Sequence, residues 1–316
     1  MSLTDTFANV FTPTHHDVYD FIDPSNALKG SAKGRKVLIT GAGTGIGRGI
    51  ALSFARAGAE SLVLVARRRE PLEETRSMIQ SSFGEQTEVL VCSGVDISDP
   101  SAVDELFASD ALRSRPADVL VSNAGVALSR APVQDSDPSL WWSDFEINTK
   151  GPYLLCRAFL RARRAAMMSS SSSLQAHSFD RSGRPGYIIN VTTNTTRYQA
   201  NMSSYSGSKN GLNILTEAIE AEQKGDVHAY ALHPGGVAGT GLTGENIKLP
   251  PKIAALMVDK PELAGATCVW LCTEKAHTLG GRYLSATWDM QKVLSLSDSL
   301  EDDSLKTRVS GVTWAM

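Results

Sequence analysis

Four short apolar runs alternate with helical patterns between Lys36 and Ser122, and no other feature of the chain narrows its fold as far. The runs are Lys36–Thr40, Ser61–Ala66, Glu88–Cys92 and Asp118–Ser122. Between them lie an apolar-periodic stretch around Ile50–Ala55, a charged helix near Pro71–Ser82 and a helix from Pro100 to Phe107. Consecutive strands separated by helices pair in parallel through right-handed crossovers, so an α/β, doubly wound parallel sheet is expected. In such sheets ligands bind beyond the carboxyl ends of the strands. Thr40, Ala66, Asp96 and Asn123 all fall at such ends. The polar ones also suit turns and helix caps, but they share one edge.

The first strand runs into Gly41-Ala42-Gly43-Thr44-Gly45-Ile46-Gly47 and then a helix. Glycines here let the backbone approach a pyrophosphate seated at the positive end of the helix. The strand before and the helix after lift this pattern above a plain tight turn. In dinucleotide sites an acid about 20 positions past the glycines holds the adenine ribose, whereas arginine accommodates a 2′-phosphate. Here Ala66 is followed by Arg67, within an Arg67-Arg68-Arg69 triplet, and Arg48 follows the turn. NADP(H) is the expected cofactor; the competing reading is a solvated helix start.

At 316 residues the chain suits one large α/β domain or two small ones, and 42% hydrophobic residues supply a core. A formal charge of −3 gives no reason to expect nucleic acid or an anionic membrane as partner. No apolar run nears the ~18 residues of a membrane span, and the N-terminus lacks a secretory pattern. Cys92, Cys156, Cys268 and Cys272 sit in apolar contexts, which points to a reducing, cytoplasmic compartment. Cys268 and Cys272 are one helical turn apart, but no histidine or second cysteine pair accompanies them, so they read as packing and no metal is expected.

Residues 1–34 form an arm that packs over the domain or over a neighbour. A helical pattern from Leu140 to Met168 bends at Gly151-Pro152, with Trp142 and Phe145 as core and Asn148 a polar residue needing a partner. Residues 169–185 are a polar surface insertion within one domain spanning 35–290. Tyr187–Thr193 reads as a strand ending in hydroxyls, and Ser204 opens a helix that carries Tyr205 and Lys209 one turn apart. An ammonium there would draw the phenol down from about 10 and fit it for proton transfer. Val227–Leu232 is the sixth strand, Glu262–Glu274 a helix and Gly281–Ser285 the last strand; residues 291–316 form a tail. Residues 236–258 are glycine-rich and suit a lid, and Tyr198, Met202, Val237, Leu242 and Met257 are candidates for an apolar pocket.

These motifs together resemble the short-chain dehydrogenase/reductase family: Thr40–Gly47, Asp96, Asn123–Gly125, Asn148, the strand INVTT, Tyr205–Lys209 and His233–Val237, in the family's order over about Lys36 to Tyr283. The resemblance implies a Rossmann-type sheet of about seven strands and a tetrad of Asn148, Thr193, Tyr205 and Lys209. Tyr205 is then the general acid/base. Lys209 tunes it and holds the nicotinamide ribose, and Asn148 supports a water linked to Lys209. The cofactor would meet Gly41, Gly43, Thr44, Gly45, Ile46, Gly47, Arg67, Asp96, Ile97, Asn123, Ala124, Gly125, Tyr205, Lys209, Pro234, Gly235 and Val237. Threonine replaces the family's serine, with Thr192 the alternative to Thr193. Family members pair through the helices that here hold Asn148 and Tyr205, implying a homodimer or homotetramer. The ending GGRYLSATWDM is similar to reductases of fungal natural-product pathways. The implied activity is NADP(H)-dependent hydride transfer between nicotinamide and a ketone or secondary alcohol of a mid-sized hydrophobic metabolite. The alternatives are a non-redox enzyme on the same scaffold (dehydratase, isomerase or cyclase) and a cofactor-binding regulator without turnover.

Overall fold

The computed structural model describes residues 12, 14–170, 184–194, 200–223, 225–242, 251–300 and 303–307. Seven strands form one parallel sheet: β1 Lys36–Thr40, β2 Ser61–Ala66, β3 Glu88–Ser93, β4 Val119–Ser122, β5 Gly186–Val191, β6 Val227–His233 and β7 Tyr283–Ser285. Their order is β3-β2-β1-β4-β5-β6-β7. The helices are α1 Gly45–Arg56, α2 Glu70–Phe83, α3 Pro100–Ala108, α4 Pro138–Phe145, α5 Gly151–Ser170, α6 Ser203–Gln223 and α7 Pro261–Leu271, with shorter turns between. None of the described helices is long and apolar enough to cross a membrane.

The strands are apolar on both faces because both faces are covered. Val37 and Ile39 of β1 join Ile50 and Phe54 of α1 and Trp270 of α7 in one layer. Leu38, between them, joins Val103 of α3 and Leu155 and Phe159 of α5 in the other. This is the two-residue alternation of a strand. Edge strand β3 is covered less and stays half-buried. Strand order reverses at β1, flanked by β2 and β4, so the ends of β1 and β4 open a crevice there.

The bend expected at Gly151-Pro152 is a π turn over Glu146–Lys150, in which Gly151 N–H donates to Glu146 O five residues back. Pro152 has no N–H for the Asn148 carbonyl, and its ring crowds that carbonyl, so the α ladder cannot run through. Trp142 departs from the expected core role. It is 58% exposed, stacked along Trp141 and Phe145, while the residue that α4 buries fully is Asp144. β5 stops at Val191, leaving Thr192 and Thr193 beyond its end. The helix expected to reach Glu274 ends at Leu271 and continues as a 3₁₀ segment, Glu274–Leu279. The last strand begins at Tyr283.

The described part of the arm packs on its own chain. Thr14 and His15 N–H donate to Thr287 O, Lys260 N–H donates to His16 O, and Ile22 is fully buried. Residues 171–183 of the polar insertion and 243–250 of the lid lie outside the described residues.

Candidate active site

A cavity of about 1510 Å³ runs along the carboxyl ends of the strands. A site for one small ligand spans roughly 300–1,000 Å³, so this space suits a dinucleotide with a second molecule beside it. One end is the turn between β1 and α1. Gly41 has φ +66°, and a Cβ there would stand 2.9 Å from Asn123 Nδ2 and 3.2 Å from Ala124 Cα. A Cβ on Gly47 would strike the Gly41 carbonyl. Both positions are closed to side chains, so the turn keeps bare backbone toward the cavity. Thr44 is the N-cap of α1 but makes no side-chain cap bond. The positive end of the helix borders the cavity, which Gly41, Gly43, Thr44, Ile46 and Gly47 line. An anionic diphosphate fits this cradle.

β4 is tied to β1 at the same place. Asn123 and Ala124 N–H both donate to Thr40 Oγ1, at 3.0 and 3.1 Å, and Asn123 Nδ2 donates to Thr40 O at 2.9 Å. Asp96 and Ile97 line the adjoining wall. Asp96 is held below the usual carboxylate range by the Ser98 hydroxyl and N–H, which donate to Oδ1 at 2.7 and 2.9 Å, with a further pull from Arg67. Arg67 is exposed at the end of β2 and lines the cavity beside Arg68. Arg48 does not join them. Its Nε donates to Gly43 O at 3.0 Å and its Nη2 pairs with Glu74 at 2.8 Å, so its donors brace the glycine turn from behind.

At the other end Tyr205, Lys209 and Thr193 share the cavity. The Thr193 side chain stands next to the Tyr205 phenol, close enough to pull its pKa down as a hydrogen-bonding neighbour. Thr192 is buried and donates from Oγ1 to Lys209 O at 3.2 Å. The two candidate hydroxyls thus have different partners, and it is Thr193 that meets the phenol. Lys209 Nζ is buried and donates to Val191 O at 2.7 Å. Burial brings its pKa down to about 8. Asn148 Oδ1 accepts Val126 N–H at 2.8 Å, while its Nδ2 donates to Val126 O and Ser208 Oγ, so the π turn clamps the loop after β4 onto α6. A Cβ on Gly125 would lie 3.0 Å from Asn148 Oδ1 and 3.2 Å from Lys209 Nζ, so both atoms border the same small space.

One electrostatic expectation is corrected. The Tyr205 phenol is pushed above its ordinary value, chiefly by burial. The Thr193 hydrogen bond and the charge of Arg130 pull it back in part, and Asp144 pushes it further up. Lys209 is not among the groups that act on the phenol; its ammonium is directed to Val191 O, and loss of hydration decides the shift.

Pro234, Gly235 and Val237 follow β6 and line the cavity, as do Met202, Leu242 and Met257; Tyr198 lies outside the described residues. Several residues here escaped the sequence reading. Buried Asp259 accepts Gly236 N–H on Oδ2 and meets His16 Nδ1 on Oδ1, each at 2.5 Å, pinning the loop after β6 to the arm. Asp144 accepts Leu128 N–H at 2.8 Å and Ser204 Oγ–H at 2.5 Å, joining the loop after β4 to the residue before Tyr205. As a lone carboxylate within Trp141-Trp142-Ser143-Asp144-Phe145 it carried a legible signal of buried polarity. Arg130 and His16, in irregular segments, carried none.

Among the described residues no group of three or more His, Cys, Asp or Glu is arranged to hold a metal, and Cys268 and Cys272 are buried in the core.

Residues 35–249 match the family model described as short chain dehydrogenase. The chain is 33% identical over 292 residues to the short chain dehydrogenase tazN of Aspergillus terreus, covering 90% of this chain and 58% of tazN. It thus spans somewhat over half the length of that relative. It is 35% identical to the short chain dehydrogenase mpl6 of Monascus purpureus, covering 94% of each. Among solved structures, a short chain dehydrogenase from Shigella flexneri 2a complexed with NADP superposes with a TM-score of 0.65 at 21% identity, covering 82% of this chain and 99% of that one.

Proposed function

The chain belongs to the short chain dehydrogenase family, and from that membership we propose that it is an NADP(H)-dependent reductase of a ketone on a mid-sized hydrophobic metabolite. The observation that carries this reading is the cluster of Tyr205, neighbouring Thr193 and buried Lys209 in one cavity with the glycine turn of α1. When bound, nicotinamide supplies the hydride. Thr193 donates a hydrogen bond to the substrate oxygen and orients it against the phenol. Tyr205 delivers its proton to that oxygen as charge builds there. A phenol is protonated at neutral pH, so Tyr205 holds the proton that reduction requires. Lys209 holds the nicotinamide ribose, and with a pKa near 8 it is suited to returning a proton to Tyr205. Asn148 fixes the loop after β4 and, with Lys209 Nζ, borders the space over Gly125 where a relay water would stand.

NADP(H) is preferred in this reading because Arg67 and Arg68 line the cavity beyond β2 with Ala66, not an acid, at the strand end. The relatives from Aspergillus and Monascus support a place in natural-product metabolism. Four free cysteines support a reducing compartment such as the cytosol. Exposed Trp142, Tyr153 and Ile214 on α4, α5 and α6 support pairing of two copies through those helices. The test is incubation of the purified protein with NADPH and a panel of polyketide- and terpenoid-like ketones, beside Tyr205→Phe. NADPH absorbance falling with the wild type alone is expected. Conversion of a substrate without NADPH would sink the reading.

A further inference from the structure

We propose that Arg130 is the anchor for a carboxylate on the substrate, so that the molecule reduced is a keto acid, not a neutral ketone. This deepens the reductase reading above and rests on it. Arg130 stands on the loop after β4 and lines the same cavity as Tyr205, Thr193 and Lys209. The loop is held from below by fully buried Asp144, through Leu128 and Ser129 N–H, and Asp144 is itself bonded to Ser204, the neighbour of Tyr205 in α6. The base of the arginine is therefore fixed relative to the phenol. The exposed guanidinium is tied at two points. Its Nε donates to Ala127 O at 3.1 Å, and its Nη2 donates across the cleft to Leu242 O of the lid at 2.9 Å.

A guanidinium has five N–H donors, and these two bonds leave three. Among the described residues no carboxylate lies within ion-pair distance of it. The described carboxylates that line the cavity are Asp96 and Asp259. Asp96 is bonded to Ser98 at the opposite end, and Asp259 is occupied by Gly236 N–H and His16. The substrate end therefore carries a preorganised cation with donors to spare, near enough for its charge to act on the Tyr205 phenol. Its planar fork matches the two oxygens of a carboxylate. The apolar side chains of Met202, Leu242 and Met257, on the same cavity wall, would take the carbon skeleton.

The test uses the full chain and a series of aryl keto acids of increasing size, each beside its methyl ester. NADPH is titrated first by calorimetry, and the acids and esters are then titrated into both the NADPH-loaded and the cofactor-free protein. At least one acid is expected to bind about tenfold tighter than its ester, the worth of one charge-assisted pair. Arg130→Leu should erase that difference by weakening the acid alone, with NADPH affinity unmoved, and Arg130→Lys should keep part of it. Acids that nowhere exceed their esters, or a preference that survives Arg130→Leu, overturns the proposal while leaving the reductase reading intact. Failure to bind NADPH in the first titration overturns the reductase reading instead, and the acid preference is still read on the cofactor-free protein.

Discussion

Replacing Thr193 with valine keeps the shape of the side chain and removes one hydroxyl, so it isolates the group that meets the Tyr205 phenol. If that hydroxyl also holds the substrate oxygen, its loss resembles removal of one oxyanion donor, which lowers kcat by about 10²–10³, or about 2.7–4 kcal/mol. Thr193 lies past the end of β5 and is only half-buried, so stability should barely change. Thr192→Val is the matched control. Its hydroxyl is buried and spent on Lys209 O, a carbonyl that keeps its helical partner. That variant should lose about 1 kcal/mol of stability and retain kcat. The assay is NADPH oxidation with the best ketone of the panel, alongside thermal unfolding. Thr193→Ser should restore most of the rate, since serine offers the same donor. The pH profile gives a second readout. The Thr193 bond lowers the phenol pKa, so without it the fall in activity on the alkaline side should move to higher pH. A Thr193→Val enzyme with kcat within a factor of two of wild type, or a larger rate loss in Thr192→Val, would refute the assignment.

Arg67→Ala should weaken NADPH binding by about tenfold or more and leave NADH nearly unchanged, since only the former has a 2′-phosphate to lose; equal weakening of both would contradict the role. Gly41→Ala forces a side chain to φ +66° and against Asn123 and Ala124, so stability should drop by roughly 1–3 kcal/mol and NADPH affinity with it, read by thermal unfolding with and without cofactor. With Lys209 titrating at about 8 in the free protein, its ammonium is present below that pH and lost above it. NADPH affinity measured by fluorescence titration should therefore fall as pH rises through about 8, and Lys209→Met should flatten the curve; a flat wild-type curve would remove Lys209 from the ribose site. Asp259→Ala strips Gly236 N–H and His16 of their buried acceptor, and the expected cost of about 1–3 kcal/mol should appear with faster proteolysis in the lid.

The sheet was legible because each strand is an apolar run bounded by turn residues, and β1 and β2 were read with the ends they have. Boundaries slipped where tertiary bonding decides them. Gly281 has φ +73°, outside the extended region, and Tyr283 N–H pairs with Leu305 O from the tail, so β7 begins at Tyr283 and not at Gly281. The π turn was signalled by Pro152 but only as a bend, because the rung it adopts depends on Asn148 being clamped to Val126 and Ser208. Tyr205, Lys209 and the glycine turn were readable from spacing on single elements. Asp259, Asp144 and Arg130 were not, because each works through a loop distant in sequence: Gly236, Leu128 and Leu242. The phenol's shift was misread for a related reason. A helical spacing reveals a lysine one turn away, but not that its ammonium is spent on Val191 O or that the phenol is buried.

NADPH deuterated at C4 tests hydride transfer itself. With the ketone that the wild type converts, deuterium is expected on the carbinol carbon of the product, and no labelled product with Tyr205→Phe. A product formed without deuterium on that carbon, from either face of the labelled cofactor, would contradict it.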